Sequence, residues 1–268
     1  VARRIADTFV GNIAGNGLIP AYSGKEYWNL YEWQPYLEGY QKPEQDDEPL
    51  RFDAPLNCFV ALGLARLSDM MVALSEPGAE RYISAAAGLR EATHRIFWDD
   101  SMGAYVSFSN SKVKWHYAEL TQALAVCSGS CPDCCVDRAL ARLTDRSLVP
   151  VTSSYSIFQF DALMTRPEAY SRWVFDRVAE DWGHMLFGGA TSFWETLVGA
   201  WDFDNAGSLC HGWSAVPAYL YFAYALGLRP TKPGFAGYEI KPVNSGLYEL
   251  DGKIITCDGR EIVVSSER

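Results

Sequence analysis

Apolar positions recur at helical spacing over most of the chain. From Ala54 to Glu76 the apolar residues Leu56, Phe59, Val60, Leu64, Leu67, Met71 and Leu74 fall on one stripe; Pro77-Gly78 then breaks the run before a second one reaches Phe97. That pattern predicts a helical hairpin. Tyr117–Val126 with Val136–Leu143, and Ser156–Met164 with Ala169–Met185, repeat the unit across Gly, Pro or Ser breaks. Ile5, Phe9, Val10 and Ile13 open the chain as an amphipathic helix, and further helices are expected over Ser192 to about Trp201 and Ser214–Leu226. These make roughly nine or ten helices before Pro230, for which a toroid of stacked hairpins is the natural packing.

Beyond Pro230 the period changes from 3.6 to 2. Tyr238–Lys241, Lys253–Cys257 and Glu261–Ser265 alternate around Asp251-Gly252 and Asp258-Gly259 turns, which predicts about three short antiparallel strands. The expected division is therefore a mainly α unit over 1–229 and a short β segment over 230–268, the start of a β-sandwich. Between the first two helices, Gly15–Asp53 reads as a long aromatic loop with a charged turn at Glu44–Glu48.

Composition narrows the function classes. The 268 residues are 49% hydrophobic and 14% aromatic, enough for a sizeable core, and carry a formal charge of −10. That charge removes the electrostatic basis for binding phosphate backbones, so nucleic acid is not an expected partner. No apolar run is read as spanning a bilayer, because Ala215–Leu228, the most apolar stretch considered, is broken by Pro217. Seven cysteines, four of them in Cys127–Cys135, fit a reducing, cytoplasmic setting better than a disulfide framework. The spacing of those four is not that of a zinc knuckle, and no nucleotide-binding, zinc-protease or serine-hydrolase motif occurs, so neither metal nor cofactor is expected.

The chemistry concentrates around Glu195. It follows Trp194, has no Lys or Arg within four residues, and precedes Asp202, Asp204 and His211. Carboxylates and imidazole suit sugar hydroxyls, while indoles suit the apolar C–H face of a sugar ring. A structural alternative stands beside this one: Ser192-Phe-Trp-Glu195 also fits a capping box, in which the glutamate only satisfies a helix start. His211 likewise admits an ordinary structural role.

Three motifs in order, Gly188-Gly-Ala-Thr-Ser-Phe-Trp-Glu195, Ser208-Leu-Cys-His-Gly-Trp-Ser-Ala215 and Leu226-Gly-Leu-Arg-Pro-Thr-Lys-Pro-Gly-Phe235, resemble glycoside hydrolase family 78, the α-L-rhamnosidases, and their six-hairpin relatives. The resemblance is sharp over about residues 180–242 and extends upstream to Gly15 only as hairpin texture. It implies an incomplete (α/α)6 toroid, inverting hydrolysis with Glu195 as general base, and sugar binding by His211. Asp202 is expected on the sugar too, and Trp28, Trp33, Trp194 and Trp213 on the pocket walls. The implied partner is a rhamnoside or related glycoside, and the implied setting is a longer parent chain.

Two departures from the family pattern accompany the resemblance. The Glu195 to His211 connection is shorter, and the segment carrying the general acid is expected upstream of Val1. Within the chain Glu26, Glu32 and Asp53 are the substitutes, and Glu32, with aromatic neighbours to raise its pKa, is the preferred one. A carbohydrate-binding or structural piece without the acid, and a six-hairpin enzyme for uronyl or glucosyl sugars, are the alternatives.

Overall fold

The computed structural model describes residues 1–24, 26–39, 50–113 and 115–267. The charged turn expected at Glu44–Glu48 lies outside them. The fold is mainly α, and the chain divides into two compact units, Val1–Thr152 and Ser153–Arg268.

In the first unit, α1 (Ala2–Gly11) packs on a long hairpin of α2 (Ala54–Ala73) and α3 (Ala79–Phe97). Pro55 starts α2 at a position where its missing N–H costs nothing. Gly78, with φ of 87°, turns the chain into α3 through a left-handed conformation that glycine adopts without Cβ strain. Most of the stripe read from the sequence lies on the buried face: Val60, Leu64 and Met71 pack with Tyr82, Ala86 and Leu89, and Phe9 and Val10 of α1 close over them, whereas Leu74 at the end of the stripe is exposed. Each fully buried aliphatic side chain of this kind contributes about 1.5–3 kcal/mol.

One exclusion made from the sequence needs correction here. By length and composition α2 is apolar enough to cross a bilayer, because Ala and Gly keep it apolar between its large residues. In this fold Val60, Ala61, Leu64 and Met71 are buried against α1 and α3.

Helices α4 (Glu119–Cys127) and α5 (Asp133–Arg142) form the second hairpin, with α4 against α2. Two-residue pairings, β1 (Phe52–Asp53) with β4 (Phe108–Ser109) and β2 (Trp98–Asp99) with β3 (Ala104–Tyr105), stitch the connecting loops.

In the second unit, α6 (Ser156–Leu163) pairs with α7 (Pro167–Phe187). Beyond α7 the two helices expected from periodicity are largely replaced. Residues 191–198 form bends and turns, followed by a 3-10 turn at Gly199–Trp201. Ser214–Leu226 resolves into a short helix, Val216–Leu220, and a π turn, Tyr221–Ala225. Four strands rather than three follow as two antiparallel pairs, β5 (Leu228–Lys232) with β6 (Gly237–Ile240) and β7 (Glu249–Ile255) with β8 (Glu261–Glu267). The expected boundary at 229/230 falls inside this unit, where Leu250, Ile262 and Val264 of the strands share a buried cluster with Ala225, Leu226 and Leu228. A two-stranded ribbon is marginal alone, and here its inner face is covered by the π turn and by Phe175 of α7.

Candidate active site

Glu195 does not begin a helix. Its backbone N–H donates to Ser208 O at 2.9 Å, and the Ser208 N–H returns a bond to Glu195 Oε2 at 3.2 Å. Two residues further out, the His211 N–H donates to Phe193 O at 2.7 Å. Segments 193–195 and 208–211 therefore lie side by side, and the capping-box reading fails. Its would-be cap, Ser192, turns its hydroxyl to Cys210 Sγ at 3.3 Å.

The reversal between the two segments depends on glycine and on strain. A Cβ on Gly207 would sit 2.0 Å from the Gly199 carbonyl oxygen, so only glycine lets the loop close on itself. At the tip Phe203, Asp204 and Asn205 take φ of 49°, 57° and 69° in succession. Left-handed backbone costs an L-residue about 1–2 kcal/mol, so this tip is held by the closure behind it.

The loop is anchored from below. The buried Trp182 indole of α7 donates to Ser214 O at 2.8 Å, and Ser214 Oγ donates to Glu195 O at 3.3 Å. Both main-chain groups of Glu195 are thereby fixed, and its side chain projects with about a fifth of its surface exposed. Oε2 faces His211 Nδ1 at 3.9 Å, while Oε1 accepts no hydrogen bond among the described residues. The His211 ring meets Trp213 edge-on at 5.7 Å, and Trp213 meets Tyr155 at 6.1 Å. Tyr155, Trp213, Ile157, Phe158, Val216 and Ser154 line an apolar cavity of about 330 Å³. The structure thus brings Glu195, His211 and Trp213 together.

Two other residues assigned to this pocket are used elsewhere. Trp194 lays its ring against the backbone of Gly188 and Gly199, where a Cβ would come within 2.8 Å of it. Asp202 turns Oδ1 back to the Phe203 N–H at 2.9 Å, inside its own loop.

The remaining candidates belong to the first unit. Trp28 and Trp33 meet edge to face at 5.5 Å and both are exposed. Glu32 between them is not a solvent-facing acid. It is fully buried, with Oε1 accepting from Thr152 Oγ1 at 2.6 Å and from the Trp33 N–H at 3.0 Å, and Oε2 from the Thr152 N–H at 3.2 Å. Burial lifts its pKa to about 7 against the pull of the Thr152 and Trp33 donors, with the nearby Glu119 charge adding to the rise. The expected direction holds, but desolvation causes it rather than aromatic neighbours. Glu119 grips the preceding residue in the same way, accepting the Val151 N–H at 2.9 Å.

Asp53 is also fully buried, bound to Arg51 Nε at 2.6 Å and the Tyr31 hydroxyl at 2.9 Å, and burial raises its pKa. Glu26 is exposed, with its carboxylate folded against Gly24. Sequence reasoning missed Trp182 and Ser214, whose role shows only in the fold. The Ser208–Ala215 motif pointed to the stretch around Ser214 without giving that residue a role.

No protein-family model matches the chain, and no curated protein matches it. Solved structures do. The family 78 rhamnosidase of Bacillus sp. GL1 superposes with a TM-score of 0.84 at 22% identity, over 99% of this chain and 28% of that one. The rhamnosidase from Klebsiella oxytoca with rhamnose bound gives 0.63 at 21% identity, over 81% of this chain and 40% of that one. The α-L-rhamnosidase of Streptomyces avermitilis complexed with L-rhamnose gives 0.67 at 14% identity, over 100% of this chain and 26% of that one. At these identities the likeness is one of fold: the chain folds like a part of the α-L-rhamnosidases, spanning about a quarter to two fifths of their length.

Proposed function

We propose that this chain carries the water-activating half of an inverting glycoside hydrolase site of the α-L-rhamnosidase kind, with Glu195 as general base and His211 as a sugar ligand. The geometry of Glu195 carries the reading. One carboxylate oxygen accepts from the Ser208 amide and faces His211 at 3.9 Å, the other accepts no bond among the described residues, and the backbone beneath is pinned through Ser214 to Trp182. A base that must aim a water needs this combination of fixed orientation and one uncommitted oxygen. Trp213 and the apolar cavity beside it suit the C–H face of a sugar ring. The fold shared with rhamnosidases, two of them solved with rhamnose, supports this reading.

Inversion also needs a general acid, its carboxyl roughly 6.5–9.5 Å from the base. Glu32 is a poor source, since protein donors occupy both its oxygens. In our reading it positions Thr152, the hairpins are consecutive members of a six-hairpin toroid, and the acid comes from elsewhere in a longer parent protein. The test is Glu195→Gln in the rhamnoside-hydrolysing parent. Loss of the base lowers kcat by about 10²–10⁴-fold with the melting temperature unchanged. A lower melting temperature with turnover intact would mean that Glu195 only closes its loop.

One observation favours a second reading, sugar binding without hydrolysis: among the described residues no second carboxylate contacts Glu195 or His211. Rhamnose affinity measured by calorimetry, with no release of reducing sugar from any rhamnoside, uronoside or glucoside offered, would select it.

A further inference from the structure

The cysteine-rich turn before α5 takes no part in the proposed site. All seven cysteines are free thiols, and among the described residues no set of three or more His, Cys, Asp or Glu side chains is arranged to hold a metal ion. The geometry does leave a pair. Cys134 and Cys135, in the first turn of α5, place their sulfurs 3.7 Å apart, with Cys134 exposed and Cys135 half-buried.

That separation is wrong for one chemistry and right for another. A disulfide needs its sulfurs about 2.05 Å apart, and closing that small ring between neighbouring residues would twist the helix start that the Cys135 N–H to Pro132 O bond maintains at 2.8 Å. A single bridging atom with bonds of ~2.3 Å to each sulfur, the length of a zinc–thiolate bond, spans 3.7 Å at an angle of about 107°, close to tetrahedral. A four-coordinate ion would need two more protein ligands, which this turn does not offer. A trivalent metalloid already carrying one carbon substituent needs only two.

We propose that Cys134 and Cys135 form a chelating dithiol site for mono-organo trivalent arsenicals and metalloids of the same valence. The reaction balances without an oxidant. Two S–H bonds break, two S–As bonds form, and the arsenoxide oxygen leaves with both protons as water, arsenic remaining trivalent throughout. The exposed Cys134 attacks first. Burial, with the neighbouring sulfur adding to it, raises the Cys135 thiol, which closes the ring in the second, intramolecular step.

Phenylarsine oxide titrated into the full chain under a phosphine reductant, read by intact mass, tests this. One arsenical per chain is expected, with the loss of one water. Tethering at two points tightens such binding by two to four orders of magnitude, so Cys134→Ser and Cys135→Ser each raise the half-saturating concentration about 100-fold or more. Cys131→Ser and Cys210→Ser leave it unchanged. Cys134 is exposed, so its variant keeps the wild-type thermal midpoint even if the half-buried Cys135→Ser does not. Undiminished capture by Cys134→Ser, or two arsenicals per chain, would overturn the assignment.

Discussion

Glu32 beside Trp33 and Glu195 beside Trp194 present the same two side chains in aromatic loops, and the fold treats them in opposite ways. Glu32 is fully buried, accepts three hydrogen bonds, and reaches Thr152, 120 residues away. Glu195 is partly exposed and, among the described residues, accepts one and keeps an oxygen open. In the first pair the tryptophan stays out and the carboxylate goes in. In the second the tryptophan packs on two glycines and the carboxylate comes out. A buried carboxylate with every oxygen used organises chain, whereas an anchored carboxylate with an unused oxygen can do chemistry.

The sharpest way to break that contrast is to delete both carboxylates. Glu32→Ala leaves the partly buried Thr152 hydroxyl and amide and the Trp33 amide without an acceptor, each lost bond costing about 1–1.5 kcal/mol, so a loss of about 3–5 kcal/mol is expected at pH 5. Glu195→Ala is expected to cost under about 1 kcal/mol, since one partly exposed bond is lost. Chemical denaturation of both variants measures this, and equal losses would abolish the distinction.

A second, somewhat smaller effect concerns pH. The folded chain holds the Glu32 proton up to about pH 7, while the unfolded chain releases it near its ordinary value of 4.5. Between those values the native state binds more protons, so stability falls as pH rises through the window, by on the order of 3 kcal/mol in all. Glu32→Gln removes the Glu32 share of that slope. Unfolding free energies at pH 5 and pH 8 decide the matter, and the same slope in Glu32→Gln would assign the proton to another group.

The smallest effect sharpens the account of how Glu195 is presented. Asp204, exposed and left-handed, is strained by its own Cβ. Asp204→Gly is expected to raise stability by about 0.5–1 kcal/mol, net of the entropy glycine adds to the unfolded chain. A destabilised variant would mean that the aspartate side chain holds the turn.

The hairpins were legible because their signals are local. The stripe of Val60, Leu64 and Met71 and the break at Pro77-Gly78 needed no knowledge of the rest of the chain. The Glu195 and His211 pair was legible only through motif resemblance; periodicity extended a helix across it and Ser192 read as its cap. What decides that segment is a bond between residues 13 apart, and a local pattern cannot register it. The same holds for Glu32, whose burial depends on Thr152, and for the left-handed run Phe203–Asn205, which carries no glycine to announce it. Polar side chains in loops take their character from partners distant in sequence, while helix faces take theirs from neighbours.

Helix α2 carries a consequence for the birth of the molecule. Twenty residues of apolar helix leave the ribosome before most of their cover exists, and such a segment is attractive to membrane-insertion machinery and to other nascent chains. Its main cover, α3, begins only six positions after α2 ends. A contact that local closes on the microsecond scale, against a synthesis rate of about 5–20 residues per second, so the exposed interval lasts about as long as α3 takes to emerge. The short turn at Pro77-Gly78 is in this sense a timing device, and lengthening it would extend the period in which this long apolar helix is unprotected.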